Sequence, residues 1–239
     1  MKKTLLTFAL AAATLAAYAQ APAATAPAAT TPGAVAAPAG YAELMAQTIQ
    51  DIMHTGDPAT LAGLAAKMER AATVAPADWL PRYYQAYALL INVFQSKESG
   101  AAKDATLDRA EAALAQARQL KGDESELLTL QAYIYQARLG ISPMLRSAKY
   151  SGEVYTAVGL AKNANPANPR PYLVEANNVY FTPAMFGGGA DKAKPLYEAA
   201  KVKFAAFQPA SPLAPNWGER QLLGRLKAYE TGTAAASAH

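Results

Sequence analysis

The chain has 239 residues, 59 of them alanine, and is 52% hydrophobic but only 9% aromatic, with a formal charge of +4. A mean hydropathy of -0.03 with 17% charged residues excludes a polytopic membrane protein. The absence of cysteine excludes disulfides, thiolate metal sites and Cys nucleophiles.

At the N-terminus, Lys2 and Lys3 precede an apolar run over residues 5–15 and a small-x-small site, Ala17-Tyr18-Ala19. This pattern predicts a signal peptide cleaved after Ala19, because the apolar run is shorter than the ~20 residues of a spanning helix. No Cys follows it to carry a lipid. Losing Lys2 and Lys3 lowers the charge from +4 to +2, which leaves no electrostatic case for nucleic acid. The mature chain is therefore expected to be periplasmic or secreted, without a transmembrane segment. Residues 20–40, rich in Ala, Pro and Thr with prolines at 22, 27, 32 and 38, read as a disordered linker, and residues 232–239 as a frayed tail.

Residues 41–231 read as about nine helices with no sheet. Apolar residues recur at helical spacing over 41–53, and Asp57-Pro58 starts a second helix reaching Val74. Pro81 opens a third to Phe94. A fourth covers 104–120, closed by Lys121-Gly122, and Asp123 or Ser125 caps a fifth to Leu139. Ser142-Pro143 begins a sixth to Asn163, with a bend expected at Ser151-Gly152. Asn168-Pro169 begins a seventh that Pro183 ends. An eighth spans about 191–207, with Pro195 requiring a late start or a kink, and Asn216 caps a ninth to Tyr229.

A repeat organises these helices. Tyr84, Leu128, Tyr172 and Trp217 lie 44, 44 and 45 residues apart, and Ala88, Ala132 and Ala176 follow the first three by four. The second helix of each unit carries an i, i+4, i+7 face: Leu64, Met68, Ala71; Ala110, Leu114, Ala117; Val154, Val158, Ala161; and Ala193, Tyr197, Ala200. Hairpins recurring at fixed spacing bury their faces by stacking into a solenoid.

These residues, with Pro166 in a turn, resemble the tetratricopeptide repeat family. The stretches around Trp79-Leu80-Pro81, Asn168-Pro169-Arg170, Phe186-Gly187-Gly188-Gly189 and Pro215-Asn216-Trp217 resemble small exported members from Gram-negative bacteria. The period exceeds the usual 34 residues by about ten, a length that also suits HEAT-type hairpins. The resemblance implies an all-α, right-handed solenoid of antiparallel hairpins and no known reaction. It further implies a concave face lined by Arg82, Gln85, Leu89 and Asn92, by Glu126, Thr129, Tyr133 and Gln136, and by Arg170, Leu173, Asn177 and Tyr180. Amides, arginines and tyrosines suit an extended peptide, so a protein or peptide partner is expected there.

No catalytic or metal site is expected, and no cofactor. His54 and His239 are the only histidines, and His54 ends a helix. Asp104, Asp108 and Glu111, like Asp123, Glu124 and Glu126, read as solvated helix faces and first-turn acids. Gly187-Gly188-Gly189 lacks the spacing of a phosphate loop and reads as a turn with Phe186 tucked inward. The chain is therefore expected to be a non-enzymatic interaction module. The alternative is a small-molecule or envelope-polymer binder using Tyr83, Tyr84, Tyr87 and Tyr133.

Overall fold

The computed structural model describes residues 38–234; the segment expected to be a signal peptide, all of the expected linker but residues 38–40, and the last five residues of the expected tail lie outside the described residues. The elements in chain order are α1 (Tyr41–His54), α2 (Pro58–Val74), α3 (Leu80–Gln95), α4 (Gly100–Gln119), α5 (Glu124–Ile141), α6 (Pro143–Ala164), α7 (Arg170–Phe181), a 3-10 turn (Ala184–Phe186), α8 (Ala190–Ala206) and α9 (Glu219–Glu230). No strand occurs among the described residues.

Each helix packs on the next in chain order, from α1 on α2 to α8 on α9. In addition α1 touches α3, α3 touches α5 and α5 touches α7. The odd-numbered helices α1 to α7 thus form an inner row, and α2, α4, α6 and α8 an outer row. This is an all-α, solenoid-like stack of hairpins. The repeated outer faces explain it: all twelve residues of the i, i+4, i+7 pattern are buried, as are Ala88, Ala132 and Ala176. Alanine at these positions lets paired helices approach closely, so that the alanine content serves helix packing.

Local signals set most boundaries. The Asp57 carboxylate caps α2 by accepting from the Thr60 amide at 2.7 Å and its hydroxyl at 2.6 Å, which satisfies an amide the helix itself leaves free. Asp123 does the same for α5 through the Glu126 amide. Four expectations need correction. The fourth helix begins at Gly100, because Ser99 supplies the cap and accepts from the Ala102 amide. The sixth is one helix through Ser151-Gly152. The eighth starts at Ala190 with Pro195 inside it, which removes the late start. Asn216 does not cap α9; Gly218, at φ 109, occupies that position.

Gly218 also shows why the chain can turn there. A Cβ on it would lie 2.9 Å from both Leu173 Cδ2 and Phe204 Cζ. Gly188 is tighter still, since a Cβ would meet the Thr182 carbonyl at 2.2 Å. The amides of Gly187, Gly188 and Gly189 are bonded to the carbonyls of Ala184, Pro183 and Val179, so the glycine run is a closed turn. Phe186, expected to tuck inward, points out with 73% of its surface exposed.

Between α8 and α9, residues 207–218 form a strap without helical structure that lies against the inner row. Tyr84 of α3 donates to the Leu213 carbonyl at 3.1 Å, and Arg170 of α7 donates to the Pro215 carbonyl. Trp217, 2% exposed, ends the strap as part of the core.

Candidate functional site

A buried polar cluster fixes the register of the inner row. The Glu126 carboxylate accepts from Tyr83 Oη at 2.8 Å, Asn168 Nδ2 at 2.8 Å and Arg170 at 2.8 Å. The Trp217 indole N–H donates to Tyr83 Oη at 2.7 Å, which connects the strap to α3, α5 and α7. Burial pushes the Glu126 carboxyl above its ordinary value, and the Arg170 cation works against that shift. Burial also raises the Tyr83 phenol well above its usual range. Arg170 Nε has no hydrogen-bond partner; its guanidinium lies over the rings of Phe207 and Trp217, at 4.7 and 5.8 Å.

From this cluster an aromatic ladder runs to the surface. Trp217 is stacked between Tyr87 and Tyr133, with centroids 5.0 and 5.7 Å away and interplanar angles of 25° and 19°. Phe94, at the end of α3, meets the Tyr133 ring at 5.0 Å and is 42% exposed. Beside it, α9 presents Gln221 and Arg225, one helical turn apart on one face. Gln221 Nε2 donates to Tyr133 Oη at 2.9 Å, while the Arg225 guanidinium lies 4.6 Å from the Tyr180 ring and 5.1 Å from that of Phe181. Phe181 is 55% exposed. Arg225 forms no ion pair among the described residues. The outcome is a strip that runs from Phe94 and Phe181, at the C-terminal ends of α3 and α7, over the buried Tyr133 in the middle of α5, and is edged by a cation that pairs with no acid among the described residues.

The twelve residues expected on an open concave face are placed differently. Gln85, Leu89, Glu126, Thr129, Tyr133, Arg170, Leu173, Asn177 and Tyr180 are buried. The other three are half-buried and engaged within the chain: Arg82 with Gln85, Asn92 with the Pro58 carbonyl, and Gln136 with the Val174 carbonyl. Thr129 bonds back to Ser125, Asn177 accepts from Tyr197, and Tyr180 donates to Ala234. The physical reason is twofold: neighbouring helices of the stack take up Asn92, Gln136 and Asn177, and the strap and α9 lie against Tyr133, Arg170 and Tyr180, so these groups bind their own chain. Tyr83, Tyr84 and Tyr87 are buried too, and of the expected tyrosine patch Tyr133 alone connects to the strip, through Phe94 and Gln221.

Of the six acids, Asp123 and Glu124 lie exposed at the start of α5, and the other four need correction. Asp104, Asp108 and Glu111 hold Arg138, and Asp104 also pairs with Arg146 at 2.6 Å, which lowers its carboxyl below the ordinary range. Glu126 is buried. His54 closes α1 with Nδ1 2.8 Å from the Gln50 carbonyl. Among the described residues no three His, Cys, Asp or Glu side chains gather as a metal site. An open depression of about 470 Å³ lies elsewhere, between α1 and α2, lined by Leu44, Lys67, Arg70 and Val74 among others. Sequence reasoning missed Phe94, Phe181, Gln221 and Arg225. The i, i+4 pairing of Gln221 with Arg225 was visible, but its neighbours were not.

Fold and strip together define an all-helical scaffold with an aromatic surface site. No family model and no curated protein matches the chain. The solved structure of the HusA haemophore from Porphyromonas gingivalis does match, with 36% identity and a TM-score of 0.72 over 82% of this chain and 96% of that one. The chain belongs to the HusA haemophore family.

Proposed function

We propose that this chain is an exported, non-enzymatic carrier that binds a tetrapyrrole on the strip formed by Phe94, Tyr133, Phe181 and Arg225. The observation that carries the reading is Arg225, a half-buried cation whose guanidinium lies 4.6 and 5.1 Å from the centres of two aromatic rings and has no carboxylate partner among the described residues. A porphyrin is a flat apolar disc with carboxylates on one edge. Ring faces suit the disc, and a preorganised guanidinium suits a propionate. Membership in a family with a haemophore supports the same cargo class, and the charged and apolar runs before Ala19 support export. His54 lies on α1, and no His or Cys stands among the strip residues, so recognition through ring faces and carboxylates is the reading that fits them. The hairpins themselves are best read as tetratricopeptide-type units of extended length. A peptide bound on the inner wall would have to displace the strap, which makes a protein partner there the weaker reading.

The test is titration of the protein with iron-free protoporphyrin, followed by its Soret band. Wild type is expected to bind and shift the band. Arg225→Ala should weaken binding about tenfold, the loss of one charge-assisted contact. Absence of binding by the wild type would overturn the cargo class; unchanged affinity in Arg225→Ala would overturn the anchor.

A further inference from the structure

Among the described residues the four most exposed large apolar side chains are Met144 at 95%, Leu145 at 85%, Met185 at 83% and Phe186 at 73%. They form two pairs, one at the corner between α5 and α6 and one on the 3-10 turn between α7 and α8. These corners share an edge. Helices α5 and α7 run parallel, tied near their starts by the Glu126–Arg170 pair, and from those residues to the helix ends their lengths differ by only about 6 Å. The fold does not need these side chains outward for backbone reasons. The amides of Leu145 and Arg146 bond to the Ser142 carbonyl, and those of Phe186, Gly187 and Gly188 bond to Pro183, Ala184 and Pro183. Both corners are thus hydrogen-bonded turns presenting apolar tips, a form suited to the bilayer interface.

Charge decides the occupant. Residues 141–152 carry Arg146 and Lys149 and no acid, and residues 181–195 carry Lys192 and Lys194 against Asp191 alone. Arg146 is paired with Asp104, whereas Lys149, Lys192 and Lys194 form no ion pair among the described residues. Apolar tips flanked by unpaired lysines match a surface of acyl chains beneath anionic headgroups. We infer that the Met144-Leu145 and Met185-Phe186 corners dock the protein on an anionic phospholipid bilayer. This contact is separate from the strip but lies on the same edge, so docking would hold a bound cargo at the membrane interface.

Co-sedimentation of the mature chain with phosphatidylcholine vesicles, with and without phosphatidylglycerol, tests this. Wild type should partition onto the phosphatidylglycerol vesicles and leave them at high salt. Leu145→Glu with Phe186→Glu should reduce that partition roughly tenfold or more, and because both side chains are exposed the variant should keep its helical circular dichroism. Its affinity for iron-free protoporphyrin in solution should match wild type. No preference of wild type for the anionic vesicles, or undiminished partition of the double variant, would overturn the inference. A parallel loss of porphyrin affinity would also overturn it, by assigning the corners to the cargo site. Failure of the porphyrin reading is distinguishable, since it would leave vesicle partition intact in a chain that binds no porphyrin.

Discussion

At Glu126 and Arg170 the inner row departs most from ordinary helix surfaces. Both are almost fully buried, at 6% and 0% exposed, and their contact spans 44 residues of sequence, one repeat. An isolated buried charge is far costlier than a satisfied pair, and here Tyr83 and Asn168 supply further hydrogen bonds to the carboxylate. Removing one partner should therefore hurt more than removing both. Arg170→Met is expected to cost about 3–5 kcal/mol, whereas Arg170→Met combined with Glu126→Gln should recover part of that loss. Urea denaturation of the two variants decides the matter; equal midpoints would mean that the pair adds nothing beyond packing. In the sequence Glu126 reads as a first-turn acid, and it does sit in the first turn of α5. Its burial was not legible, because the partner arrives from the next repeat.

The strap is the element that sequence patterns conceal. Outer-helix faces were legible since α2, α4, α6 and α8 each bury one stripe, and a single stripe at i, i+4, i+7 has a period to detect. Helices α3 and α5 bury ten residues apiece, on several sides at once, so their polar positions carried no mark separating an open wall from a covered one. Residues 207–218 have no periodicity at all, and their role follows only from where Tyr84, Arg170 and the Tyr87–Tyr133 slot receive them. Trp217 is the main anchor. Trp217→Ala should destabilise the protein by about 3–5 kcal/mol and leave a flat slot between two tyrosines with the Tyr83 hydroxyl at its edge. Such a slot should accept indole, so added indole is expected to raise the melting temperature of the variant and leave that of wild type unchanged. Equal responses in both proteins would show that the slot collapses or that Trp217 is not seated as described.

Across the whole molecule, stability is shared through tyrosines buried between helices. In α-solenoids each hairpin touches its neighbours, so cooperative unfolding depends on links that cross several units. Tyr83, Tyr84 and Tyr87 of α3, Tyr133 of α5 and Tyr197 of α8 provide such links, and desolvation raises every one of these phenols above its ordinary value. Tyr229 of α9 is likewise pushed up to about 12. The sign of the effect follows from linkage. Below an unfolded value of about 10 both states hold neutral phenols and the contribution is intact; above it the unfolded chain ionises first, so stability falls as pH rises towards the folded values. The buried phenols should therefore remain un-ionised until the stack opens, then ionise together. An alkaline titration following phenolate absorbance and helical circular dichroism on one sample should show the absorbance lagging an ordinary tyrosine curve and then rising in step with helix loss. Complete phenol ionisation while the helical signal persists would mean that the strap and α9 open before the repeats do, and that the inner face does not bind the solenoid into one cooperative unit.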